Sequence, residues 1–261
     1  MKIVTWNINS LNLRLERLLA WLASQRPDVV CLQETKCEDA KFPVAPLADA
    51  GYRAVFAGQK SYNGVAILAR EGLRLRDTRH GVDAFEDPQR RVIATTVEGS
   101  AAPIHVICVY VPNGQAVGTD KYRYKLEWCR AAASHLHQAA LAHIQLVVAG
   151  DFNIAPEDRD VHDPDLWREQ VMCSTPEREA FGEFLGAGLV DSYRLFDQPP
   201  NTFSWWDYRM LAFPKNHGLR IDHILLSAPL ASSCTACTID RSARKGVKPS
   251  DHAPVVATLA L

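Results

Sequence analysis

The chain has 261 residues, 47% of them hydrophobic and 23% charged, the balance of an ordinary globular protein that buries a large core without disulfide or metal staples. A formal net charge of −1 argues against a globally basic nucleic-acid coat while leaving room for a local basic groove. No run of about 18 apolar residues and no long apolar signal core occur, so no membrane partner and a soluble, cytoplasmic protein are expected.

Short apolar or alternating runs predict strands over 2–6, 29–32, 65–69, 91–97, 104–111, 146–149, 220–226 and 255–261. Helical spacing occurs in three places. Leu15, Leu18, Leu19 and Leu22 make a stripe ahead of Pro27. Tyr122, Leu126, Cys129, Ala133, Leu136 and Ala140 step by four and three along one face. The third helix opens at STPERE: Ser174 is a good N-cap, Pro176 suits a first turn and Glu177 completes a capping box, with Phe181, Phe184 and Leu185 facing inward. Strands outnumber helices, which interrupt only some connections. That favours a mixed sheet, or two packed sheets with helices outside, over a purely parallel wind. No linker tract or repeat divides the chain, so one domain over 1–261 is expected. The seven cysteines, mostly in apolar runs, read as reduced core thiols; Cys234 and Cys237 have CxxC spacing but no second pair or nearby histidine to complete a zinc site.

The strong strands carry polar groups at their tips. LVVAGDFN presents Asp151 and Asn153, IVTWN ends at Asn7, VVCLQE at Glu34, and VICVYVPN offers Tyr110 and Asn113. RIDHILLS holds Asp222 at its start, and PSDHAPVV places Asp251 and His252 just before its strand. The start of one strand lies at the same rim as the end of an antiparallel neighbour, so these groups can converge on one edge of the core. Singly, each has an ordinary explanation as a turn former, cap or core residue. Together, three or four carboxylates beside buried strands are costly unless a cation compensates them. Oxygen donors without cysteine suit Mg²⁺ or Mn²⁺ better than Zn²⁺, and the chemistry that follows is metal-assisted phosphoester hydrolysis.

The segments WNINSL, PDVVCLQETK, YNGVAIL, YVPNG, GDFNIAPEDRD, GLVDSYR, SWWDYR, GLRIDHILLS and SDHAPV, in that order along nearly the whole chain, resemble the exonuclease III family of AP endonucleases. LQETK, GDFN and SDHAP together are highly specific. The resemblance implies a four-layered α/β sandwich of the DNase I type, two packed mixed β-sheets flanked by helices. It implies a metal site drawn from Asn7, Glu34, Asp151, Asn153, Asp251 and His252, with Glu34 the main carboxylate, for Mg²⁺ with Mn²⁺ able to substitute. Asp151 then orients or deprotonates the attacking water, and Asn153 fixes Asp151 and meets the phosphate. Tyr110 touches the scissile phosphate or leaving oxygen, and Asp222 with His252 forms a carboxylate–imidazole pair. Some members carry a carboxylate two residues after the first Asn; here Asn9 stands there, which counts against a second metal.

Candidate phosphate contacts are Asn113 and, in KYRYK at the start of the long helix, Lys121, Arg123 and Lys125. Ser174 can donate to a phosphate or simply cap its helix. SWWDYRMLAF lies between turn-like segments, and its Trp205, Trp206, Arg209 and Met210 are candidates for a loop that wedges into a groove. Leu219 and Ile221 alternate along the strand that carries Asp222 and, with Trp205, are expected to line a small pocket for a base-free sugar. The function implied is a Mg²⁺-dependent DNA repair nuclease, acting as a monomer on double-stranded DNA. It cuts 5′ to abasic sites, trims blocked 3′ ends, or both, with Met172 and residues 207–214 setting the balance. Other phosphoesters on the same sandwich (RNA, inositol phosphates, sphingomyelin) and a non-catalytic nucleic-acid-binding regulator are the alternatives. The SWWDYR and GLRIDH segments favour DNA, and competent residues at every matched position count against the regulator.

Overall fold

The computed structural model describes residues 1–83, 85–99 and 102–261. In chain order the elements are β1 (Lys2–Asn7), α1 (Leu11–Gln25), β2 (Val29–Gln33), α2 (Val44–Asp49), β3 (Tyr52–Ala57), β4 (Val65–Arg70), β5 (Arg74–His80), β6 (Val92–Glu98), β7 (Ile104–Tyr110), α3 (Asp120–Ala142), β8 (Leu146–Asp151), α4 (Pro164–Trp167), α5 (Thr175–Gly186), β9 (Leu189–Asp191), α6 (Ala212–Lys215), β10 (Asp222–Ser227), α7 (Ala228–Ser232), β11 (Cys234–Ile239) and β12 (Val255–Leu259). They form two six-stranded sheets, ordered β11-β12-β1-β2-β4-β3 and β5-β6-β7-β8-β10-β9. Each sheet has one parallel pair near its middle, β1/β2 and β7/β8, and antiparallel pairs elsewhere. Parallel neighbours need a long crossover, and α1 and α3 supply it.

Side-chain alternation makes the layers. On β1 and β2, Ile3, Val29 and Cys31 face the second sheet, where they meet Val106, Cys108, Val147, Ala149 and Ile224. Val4, Trp6, Val30 and Leu32 point the other way, under Leu18 and Leu22 of α1. On the second sheet, Ile107, Val109 and Val148 lie beneath Trp128 of α3 and Phe181 and Phe184 of α5. Interior strands are thus buried on both faces, which is why they read as continuous apolar runs. This is the expected four-layered sandwich. The strands missing from the sequence-based list are β3, β5, β9 and β11, the edge strands of the two sheets. Among the described residues no helix is long and apolar enough to cross a membrane.

Candidate active site

Strand register brings the polar tips together. Asp222 of β10 lies directly opposite Asp151 of β8, and Tyr110 of β7 is the parallel partner of the same Asp151. From the other sheet come Asn7, Glu34 just past β2, and His252 ahead of β12. The catalytic rim therefore straddles the seam between the sheets. Glu34 and Asn153 hold left-handed backbone, φ 51° and 50°. The conformation is uncommon for Glu and readily adopted by Asn.

The groups form one network. The Asn7 amide donates from Nδ2 to Glu34 Oε1 and to Asp151 Oδ2, each at 2.9 Å. The Tyr110 phenol donates to Glu34 Oε1 at 3.0 Å. Asp151 Oδ1 accepts the Asn153 backbone N–H at 2.9 Å, and Asn153 Nδ2 donates to the Val111 carbonyl at 2.9 Å. Asn113 Nδ2 donates to Asn153 Oδ1 at 3.0 Å. His252 Nδ1 lies 2.8 Å from Asp222 Oδ2, and its Nε2 is 3.7 Å from Asp151 Oδ2. Asp151 and Asp222 are 1% and 0% exposed, so two carboxylates face each other away from water. Like charges opposed across strands are unfavourable by themselves.

The protein resolves this by splitting protonation. Burial lifts the Asp151 carboxyl from its usual range to about 7, against the pull of His252. Burial opposes charge on His252, but the carboxylates of Asp222 and Asp151 outweigh it and raise the imidazole to about 10. His252 is therefore cationic at neutral pH, with its Nδ1–H committed to Asp222. Burial and the Glu34 carboxylate push the Tyr110 phenol well up, so it remains a proton donor.

Ligand atoms of Glu34, Asp151 and His252 lie within 4.8 Å of one another. The hard carboxylate oxygens of Glu34 and Asp151 fit a divalent cation. Three of the expected ligands also make hydrogen bonds of their own. His252 turns Nδ1 to Asp222 at 2.8 Å, which leaves Nε2 as the ring nitrogen facing Asp151. Asn7 turns its NH₂ toward the carboxylates while its Oδ1 accepts the Asn9 N–H at 3.0 Å. Asp251 spends Oδ1 on Asn9 Nδ2 at 2.8 Å and Oδ2 on the Trp205 indole at 3.1 Å.

One cation at the rim escaped the sequence reading. Lys36 Nζ lies 2.8 Å from Glu34 Oε2 and donates to Asn9 Oδ1 at 2.6 Å. Its signal was its place two residues after Glu34 in LQETK. Asn9 is accordingly more than a turn residue: it ties Lys36 to Asp251.

Several DNA-contact expectations need correction. Lys125 is 0% exposed; its ammonium pairs with buried Glu177 and donates to the Asn153 carbonyl at 2.7 Å, so it braces the site loop from inside. Arg123 is exposed but pairs with Asp120 on its own helix. Lys121 alone of the three is an exposed cation at the rim, lining a cleft of about 500 Å³ with Tyr110 and Asn113. Ser174 is fully buried, hydrogen-bonded to Glu177 and to Tyr122, and has only its capping role. Trp206 is core, packed with Phe203, Ala212 and Ala253. Leu219 and Ile221, 0% and 1% exposed, pack on Met172, Ala155 and Val161, leaving no open sugar pocket between them; Trp205 is only partly buried against this cluster. Met210 is 82% exposed, and Arg209 beside it pairs with Asp207 at 2.7 Å. Neutralising Lys121 should lower the slope of log K for DNA against log salt by about 1. Lys125→Met should leave that slope unchanged and instead cost about 3–5 kcal/mol by stranding Glu177. Salt titrations and thermal melts of the two variants check this.

A buried ionic cluster behind the site was also missed. Arg220, 1% exposed, donates from Nε to Asp160 Oδ1 at 2.6 Å and lies 2.8 Å from Asp191 Oδ2 through Nη1. The same Nη1 is 2.9 Å from His223 Nδ1. A guanidinium only donates, so Nδ1 must accept and the proton sits on Nε2, 3.0 Å from the Ile154 carbonyl. One cation thus links β9, the turn at 158–160 and the backbone next to Asn153.

A fold of two face-to-face mixed sheets with an acidic rim at their seam defines a class, and a family model confirms it: the chain belongs to the endonuclease/exonuclease/phosphatase family, matched over residues 4–252. Among individual proteins, the chain is 36% identical to exodeoxyribonuclease III of Haemophilus influenzae, over 98% of this chain and 99% of that one. The structure of the 3′ phosphatase NExo from Neisseria bound to a product DNA hairpin superposes with a TM-score of 0.96 at 44% identity, covering all of both chains. An AP endonuclease from Archaeoglobus fulgidus gives 0.94 at 37%, again over both full chains.

Proposed function

We propose that this chain is a DNA repair nuclease that hydrolyses phosphodiesters with Mg²⁺, for which Mn²⁺ substitutes. It acts as a monomeric single domain over 1–261 on double-stranded DNA carrying abasic sites or blocked 3′ ends. The observation that carries the reading is the meeting of half-buried Glu34 with buried Asp151 and the Asp222–His252 pair in one cluster, in a chain aligned end to end with DNA-processing relatives. A divalent ion held chiefly by Glu34 would neutralise charge on the scissile phosphate. The rest falls to the protein. Asp151, held by Asn7 and the Asn153 backbone, positions a water and takes its proton. Its carboxyl near pH 7 suits a base at neutral pH, which a carboxylate at its ordinary value would not. The His252 imidazolium, kept charged by Asp222, donates its Nε2–H to a nonbridging oxygen. Tyr110, kept protonated, donates to the phosphate or the leaving oxygen. Asn113 and Lys121 border the phosphate path.

The test uses purified protein with Mg²⁺ on matched duplexes bearing an internal abasic analogue or a blocked 3′ end, alongside single-stranded RNA and inositol phosphates. Cleavage of either DNA, abolished by EDTA, is expected; turnover of RNA or inositol phosphate alone would overturn the reading. Glu34→Ala should lower the rate by about 10³-fold, partly restored by excess Mn²⁺, since the metal loses its principal anion. Unaltered activity in EDTA would remove the metal from the mechanism.

A further inference from the structure

The Asp222–His252 pair is assembled from both sheets. Asp222 opens β10 of the second sheet, and His252 stands just ahead of β12 of the first. Both carboxylate oxygens of Asp222 reach His252 Nδ1, at 2.8 and 3.1 Å, so a small shift of either backbone spoils the contact. The strand ladders run within each sheet and do not themselves fix this spacing across the seam. β9 pairs only with Leu225, Leu226 and Ser227. The N–H groups of Ile221 and Asp222, at the other end of β10, go to a side chain instead.

That side chain is Ser204, which is fully buried. Its Oγ accepts the Ile221 N–H at 3.0 Å and the Asp222 N–H at 3.1 Å, which uses both lone pairs of the hydroxyl. The carbonyl of the same residue accepts the Ala253 N–H, next to His252, at 2.7 Å. Its neighbours extend the link. Trp205 exchanges backbone hydrogen bonds with Leu219, at 2.9 and 3.0 Å, and the Trp206 N–H goes to the Asp251 carbonyl at 3.0 Å. Residues 204–206 thus form a strap across the seam, held by 219–222 on one side and 251–253 on the other. The strap is closely seated: a Cβ at Gly218 would stand 2.7 Å from the Trp205 carbonyl oxygen.

We propose that Ser204 is a positioning residue for the Asp222–His252 pair. Through Oγ it sets the backbone of Asp222, and through its carbonyl that of the segment carrying His252, so the imidazole meets the phosphate at a fixed place beside Asp151. The inference rests on the DNA nuclease reading. Ser204 itself is out of reach of substrate, so its loss should act on the chemical step and not on binding. A catalytic group misplaced by about 1 Å costs about 10²-fold in rate.

Ser204→Ala leaves two buried N–H groups without an acceptor. It should lower the single-turnover cleavage rate about 10–100-fold while DNA affinity in EDTA stays unchanged. A spectroscopic signature separates positioning from general loosening: the downfield proton resonance of His252 Nδ1–H, followed in protein labelled with ¹⁵N-histidine. That signal should shift or broaden in folded Ser204→Ala. Ser204→Thr, which keeps the oxygen, should restore both the rate and the signal. Ser204→Cys, with a weaker acceptor in nearly the same volume, should give an intermediate loss and covers the case in which Ser204→Ala unfolds. A wild type that cuts DNA, with folded Ala and Cys variants matching it in rate and signal, overturns the role and leaves the nuclease reading standing. A wild type that cuts no DNA overturns both.

Discussion

Asp151→Asn is expected to abolish phosphodiester cleavage, by about 10³–10⁴-fold, while leaving DNA affinity and the fold in place. The amide keeps the size and shape of the carboxylate but neither carries the charge nor takes the proton. Stability should not suffer. The folded-state value for Asp151, about 7, is raised above 3.8. Its contribution to stability is thus fully present below pH 3.8 and is lost as pH rises through about 7. At pH 8 the ionised group is already unfavourable, so the neutral isostere should melt within a few degrees of the wild type. Single-turnover cleavage, equilibrium binding and a thermal melt at pH 8 separate the outcomes. A variant that still cuts at a near-normal rate would take Asp151 out of the mechanism. One that binds no DNA would make it a binding residue instead.

The second large effect lies behind the site. Arg220→Met should destabilise the protein by about 3–5 kcal/mol, a drop of about 10 °C in melting temperature, because Asp160 and Asp191 lose their shared cation in a place without water. Burial raises both carboxyls, but Arg220 outweighs it, and both sit below their ordinary value of 3.8. A depressed folded-state value means stability that is present above about pH 3.8 and is lost as pH falls through the folded values. The gap between wild type and variant should therefore be widest near pH 7 and narrow toward pH 3. A constant gap would mean that the loss is one of packing alone.

These two sites were unequally legible from sequence. Asp151 and its partners could be read because each lies at one end of a strand whose apolar run is unmistakable, or just outside it, and their order along the chain carries the family resemblance. The Arg220 cluster could not. Arg220, Asp160, Asp191 and His223 are ordinary surface-type residues until a fold buries them beside one another, and nothing local says that it will. Lys125 was misread for the same reason: a lysine in the first turns of a basic helix reads as solvated, and its partner Glu177 is 52 residues away. Strands divide similarly. Interior ones announce themselves by burial on both faces. The edges β3, β5, β9 and β11 do not: β5 carries Arg74, Arg76 and Arg79 and an irregular register that keep it from pairing further, and β9 has only three residues. Sugar-pocket residues Leu219 and Ile221 were expected on the strand that carries Asp222, but both precede β10 and are closed off from solvent by Met172 and its neighbours.

The order of strands in the first sheet has a consequence during synthesis. Among the described strands β12, the highest-numbered, lies between β11 and β1. While the chain is being extended, β1 keeps one bare edge, and His252 and Asp251 have not yet been delivered to the rim. The second sheet, built from residues between β5 and β10, can close earlier, yet of the rim it brings Tyr110, Asn113, Asp151, Asn153 and Asp222 without the groups of the first sheet. Until β12 is in place the rim thus lacks two of its groups, and the strand that brings them also covers the bare edge of β1.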